Sequence, residues 1–175
     1  MKCLIVLLSF APLVAIAQTA QNPVIKSAGT VHDIPYATVA PDPSLSYNIV
    51  IDITSGPHNP GQMNPSLERV ARLINLHVVG GVPLENLHIV LAVHSASAVA
   101  VINNEAYQNR FKMDNPNLNL IAELKQAGVK IAACGQTLIM RGIDPMQLAP
   151  GVEVATSMIT TFTTYQLKGY ASMKF

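Results

Sequence analysis

An α/β domain is the fold class the chain spells out: three layers, with a mostly parallel sheet of about five strands and helices on both faces. Short β-branched apolar runs alternate with segments of helical period, and no two runs are close enough for a tight hairpin. The helical segments also carry their own start and stop signals. Size agrees: 175 residues, 50% hydrophobic and 12% charged, can build one core without a disulfide or metal staple. A formal charge of +1 gives no electrostatic reason to expect nucleic acid or an anionic membrane as partner. Twelve prolines and ten glycines argue against a coiled coil, and the apolar content argues against disorder.

The chain opens as an address. Met1-Lys2 is basic, Cys3 to Ile16 is almost wholly apolar, and Ala15-Ile16-Ala17 has the small residues of a signal-peptidase site. The apolar run of about 14 residues is too short for a bilayer core that needs about 20, so no membrane span is expected. Residues 1–17 therefore read as a signal peptide cut after Ala17, which makes the protein periplasmic or secreted. Residues 18–46 carry Pro23, Pro35, Pro41 and Pro43 and read as an extended arm, with Val31 to Ile34 as a candidate edge strand.

The domain itself occupies residues 47–175. Tyr47 to Ile53 is a buried strand that runs into a loop of turn formers from Thr54 to Gly61. Asn64-Pro65 opens a helix with a capping side chain and a proline whose missing N–H costs nothing there. Leu67, Val70, Ala71 and Ile74 give that helix one apolar face, and Gly80-Gly81 stops it. Leu87 to Val93 is the second strand, followed by His94-Ser95 and a short Ala/Val-rich helix. Asn115-Pro116 repeats the helix opening, and Gly128 supplies the stop. Val129 to Ala133 is the third strand, leading into Cys134-Gly135 and a helix to about Arg141. Gly151 to Val154 is a fourth strand, and Thr156 to Lys168 a last helix before Gly169.

In parallel sheets ligands bind at the carboxyl ends of the strands, and the loops there begin near Thr54, His94 and Cys134. With the signal removed, Cys134 is the one cysteine left and cannot form an internal disulfide. It stands at a strand-to-helix junction, where free N–H groups favour a thiolate, although a buried, inert thiol is equally common. Gly135 leaves the backbone open for a second sulfur or an anion. His94, on the neighbouring strand, is a general base or cationic partner for the thiolate, or a residue that satisfies loop carbonyls. Asp52 reads as a semi-buried structural acceptor. His58, His94 and Cys134 lack the local spacing of a metal site, so no metal is expected. Nucleotide glycine motifs, C-x-x-C and G-x-S-x-G are missing from the sequence. Pro57 and Pro60 take donors from the one loop that mimics a flavin phosphate cradle. No organic cofactor is expected.

Asn115-Pro116-Asn117-Leu118, Ala127-Gly128-Val129-Lys130-Ile131 and Cys134-Gly135-Gln136-Thr137-Leu138 with Arg141-Gly142-Ile143 resemble the DsrE/DsrF-like family. The resemblance continues through Pro150-Gly151-Val152 and Gly169-Tyr170 and covers roughly Tyr47 to Tyr170. It implies a three-layer fold of flavodoxin-like topology, assembly as a homotrimer or homohexamer, and sulfur-relay chemistry. The acceptor of sulfane sulfur, held as a persulfide, is then Cys134. His94 matches a family histidine usually followed by glycine, where this chain has Ser95. On this reading N–H groups at Gly135 and Gln136 stabilise the anion, and His94 or Arg141 tunes it. Sulfur donor and acceptor thiol proteins would be the partners. The other reading is a non-catalytic oligomeric module of the same fold that binds a ligand or partner.

Overall fold

The computed structural model describes residues 19–56 and 59–175; the expected signal peptide and His58 lie outside the described residues. Strands β1 (Ala20–Gln21) and β2 (Val31–His32) pair antiparallel in a small ribbon of their own. The expected edge strand at Val31 to Ile34 therefore does not join the main sheet. The arm instead lies on its own domain. Asn75, fully buried on helix α1 (Pro65–Val79), accepts from the N–H groups of Val24 and Ile25 and donates to the carbonyls of Ile25, Ala28 and Gly29. Ile25 is sealed in the core, and Ser27 bonds to Glu123 through both its N–H and its hydroxyl.

Five parallel strands make the main sheet: β3 (Tyr47–Ile53), β4 (Leu87–Val93), β5 (Lys130–Cys134), β6 (Glu153–Ala155) and β7 (Ala171–Lys174). Their order is β6-β5-β4-β3-β7. A flavodoxin-like sheet sets its first strand between the second and third. Here the first, β3, lies between the second and the last, so the doubly wound class holds with a different strand order. The fifth strand is the C-terminal β7, which pairs with β3 from Ile49↔Ala171 to Asp52↔Lys174.

Helices α1, α2 (Asn104–Phe111), α3 (Leu118–Gln126), α4 (Gly135–Arg141) and α5 (Met158–Leu167) connect the strands, with a 3₁₀ segment at Ser95–Val101. From β3 to β6 each crossover moves one strand in the same direction. Right-handed connections then set α1, α3 and α4 on one face. Ile49, Ile51, Ile53, Ile89, Leu91 and Ile131 pack there with Leu67, Ile74, Leu120, Leu124 and Leu138. Only α5 returns across the sheet, and it rests on β3 and β4 from the other side. That side carries Val50, Asp52, Val90, Ala92, Ala132 and Cys134, the alternate residues of the same strands.

Asn64 caps α1 as its position demands, accepting from the N–H groups of Ser66 and Leu67. The second Asn-Pro works differently. Helix α3 starts at Leu118, and Asn115 is buried as a bracket that donates to the carbonyls of Ala100 and Ile102 and accepts from Asn117. Asn117 in turn accepts from the N–H of Asn64. This asparagine chain ties the starts of α1 and α3 to the loop after β4 and sets the carboxyl edge of the sheet.

Candidate functional site

The register Val93↔Ala133 places His94, one residue past the end of β4, beside Cys134, the last residue of β5. Cys134 closes β5, caps α4 and is 6% exposed. Burial pushes its thiol pKa up. The Thr137 hydroxyl, aided by the N–H groups of Thr137, Met158 and Gln136, outweighs that, and the thiol titrates below its ordinary 9.0. Two of those N–H groups belong to the first turn of α4, while Met158 is the first residue of α5. The sulfur sits where two helices begin.

Gly135 is needed for packing. A Cβ there would lie 2.9 Å from the carbonyl oxygen of Ala155, so the space expected for an anion is taken by β6. The donors around sulfur come from Gln136, Thr137 and Met158. Thr137 and Met158 were not among the residues the sequence pointed to.

His94 is engaged elsewhere. Its Nε2 lies 2.7 Å from Oδ1 of Asp52, and its Nδ1 lies 2.9 Å from Oγ of Ser95. A carboxylate only accepts, so Nε2–H donates to Asp52, and in the neutral ring Nδ1 accepts from the Ser95 hydroxyl. Asp52 is 7% exposed and also faces Lys174 Nζ at 3.7 Å. Ser95 stands at φ +54°, in the left-handed region where glycine is at ease. Its N–H donates to Thr137 Oγ1 at 3.3 Å, linking the two strand ends.

Arg141 ends α4, and with Ser95, Thr137 and Met140 it lines an open cleft of about 450 Å³. Among the described residues no three His, Cys, Asp or Glu side chains converge to hold a metal ion. No helix among them is long and apolar enough to cross a membrane.

The DsrE/DsrF-like family model matches residues 48–175. Among solved structures, the chain is similar to MTH1491, a protein of unknown function from Methanobacterium thermoautotrophicum, at 22% identity and a TM-score of 0.56. That match covers 74% of this chain and 99% of the other. It is likewise similar to the ychN protein of E. coli, at 23% identity and a TM-score of 0.54, with the same 74% and 99% covered. Both likenesses concern the fold. No curated protein matches. With the matched span running from the start of β3 to the last residue, the chain belongs to the DsrE/DsrF-like family.

Proposed function

We propose that the protein is an exported sulfur carrier that accepts sulfane sulfur as a persulfide on Cys134 and hands it to a partner thiol. The observation that carries the reading is the set of donors around Cys134, which favours the thiolate despite burial. The thiolate attacks the outer sulfur of a polysulfide or donor persulfide. A new S–S bond forms, the old one breaks, and the donor leaves as a thiolate with the electron pair, so no external oxidant or reductant is consumed. In the second step an acceptor thiolate takes the outer sulfur and Cys134 leaves. The donors that lower its pKa also make it the better leaving group.

Assembly as a homotrimer or homohexamer belongs to the same proposal. Ile139, Met140, Met146, Val154, Ile159 and Leu167 are all exposed apolar residues on or beside α4 and α5, the kind of surface that copies of a chain cover. Export after cleavage at Ala17 rests on the signal-like opening.

Intact mass after exposure to polysulfide tests the carrier. The expected result is a gain of whole sulfur atoms, reversed by reductant and lost in Cys134→Ser. A folded, reduced protein that gains nothing overturns the reading. The near-complete burial of Cys134 favours a second one, an oligomeric binding module in which the thiol only packs. A thiol alkylated only after denaturation would establish that module.

A further inference from the structure

We infer that the cleft beside Cys134 receives a small sulfane-sulfur anion, of which thiosulfate is the type, with its charged end on Arg141. The inference rests on the carrier reading and names its donor class. Four residues line the cleft, Ser95, Thr137, Met140 and Arg141, and Arg141 is the charged one. Its guanidinium makes no hydrogen bond or ion pair within the described residues. Arg110 stands close by: its Nη2 donates to the carbonyls of Arg141 at 3.3 Å and Gly142 at 3.0 Å. A second guanidinium thus neutralises the end of α4, where the helix dipole would otherwise repel an anion.

The helix sets the geometry. Cys134, Thr137 and Arg141 follow at three and four residues, so they share one side of α4. Arg141 lies roughly 10 Å along the axis from Cys134, and its long side chain leans back toward the start of the helix. Thr137 stands between them, touching the sulfur with its hydroxyl and lining the cleft. The hydroxyl of Ser95 is committed to His94, and its N–H to Thr137. Recognition is therefore by charge, from Arg141, and not by a hydroxyl.

The step balances without a further reagent. The Cys134 thiolate attacks the outer sulfur of thiosulfate, the S–S bond breaks, and sulfite leaves with the electron pair. Charge is conserved between thiolate plus dianion and persulfide anion plus sulfite. Negative charge gathers on the leaving sulfite, next to Arg141.

Two measurements test this. Thiosulfate loading followed by intact mass should fall about tenfold in Arg141→Gln and recover in part in Arg141→Lys, since one charge-assisted bond is lost. Alkylation by neutral iodoacetamide should stay within about twofold, because the thiol itself is untouched. Thiosulfate binding to Cys134→Ser, measured by calorimetry, should weaken by a similar factor when Arg141→Gln is added. Loading from polysulfide but not from thiosulfate overturns this inference and leaves the carrier reading standing. Equal losses with thiosulfate and iodoacetamide overturn it too, as does thiosulfate binding indifferent to Arg141. If no donor loads Cys134, the carrier reading fails, and this inference about its donor fails with it.

Discussion

Strands β4 and β5 lie in register, yet His94, just past the end of β4, and Cys134, the last residue of β5, meet opposite environments. His94 turns toward β3 and finds the carboxylate of Asp52, a pure acceptor. Cys134 sits at the starts of α4 and α5 and finds N–H and O–H groups, all donors. The difference lies in what each strand has on its far side. Beyond β4 is a strand whose alternation brings an acidic side chain to the same face. Beyond β5 is a short strand that hands the chain straight to α5, whose first N–H points at the sulfur. One edge of one sheet thus holds a hydrogen-bonded His–Asp pair and, beside it, a thiolate cradle.

If the two ends are divided in this way, damage at β4 should register as lost stability and damage at β5 as lost thiol reactivity. The largest effect is expected from Asp52→Ala, which strands the His94 N–H and should cost about 2–3 kcal/mol in urea unfolding. The pH profile of Cys134 alkylation should not move. A profile that shifts would show that the two ends act as one unit.

Thr137→Val removes one donor with little change of shape. The thiol should rise toward its ordinary 9.0, and alkylation near neutral pH should slow about tenfold, for a loss of roughly 1.4 kcal/mol. Stability itself carries the same signature. The folded thiol titrates lower than the unfolded one, so its contribution is complete above pH 9.0 and fades as pH falls through the folded value. The urea midpoint of the wild type should gain on that of Cys134→Ser as pH rises from the folded value to 9.0.

The smallest effect is expected at Ser95→Gly. Relief of the left-handed backbone, about 1–2 kcal/mol, exceeds the loss of an exposed bond to His94, about 0.5–1 kcal/mol. A thermal midpoint raised by a few degrees, for a net gain below about 1 kcal/mol, is the expected outcome. A lowered midpoint would mean that the His94 bond outweighs the strain.

Tyr47–Ile53 and Leu87–Val93 were legible to the residue because a fully buried parallel strand is a continuous β-branched run. Helix α1 was equally plain from its cap and its apolar stripe. Strand β7 was not, since its four exposed residues bury too little to leave a pattern. Helix α2 was missed because its sequence is polar almost all round. The candidate site divides in the same way. Cys134 at a strand-to-helix junction can be read along the chain, as can Gln136 just after it. Met158 cannot, because its approach to the sulfur depends on which strand lies next to β5. The role of Gly135 was hidden for the same reason, its neighbour being a carbonyl of β6.

The part played by α5 bears on the order in which the molecule becomes competent. Met158 supplies one of the donors at the sulfur, and α5 is the last helix among the described residues to leave the ribosome. Until that helix docks over β3 and β4, Cys134 lacks one of its N–H groups and is closer to an ordinary thiol. A chain still threading or half folded therefore carries its cysteine in a muted form, less prone to stray sulfur and to mispairing with other thiols. Full reactivity waits for the final crossover, and the finished fold acts as its own safety catch.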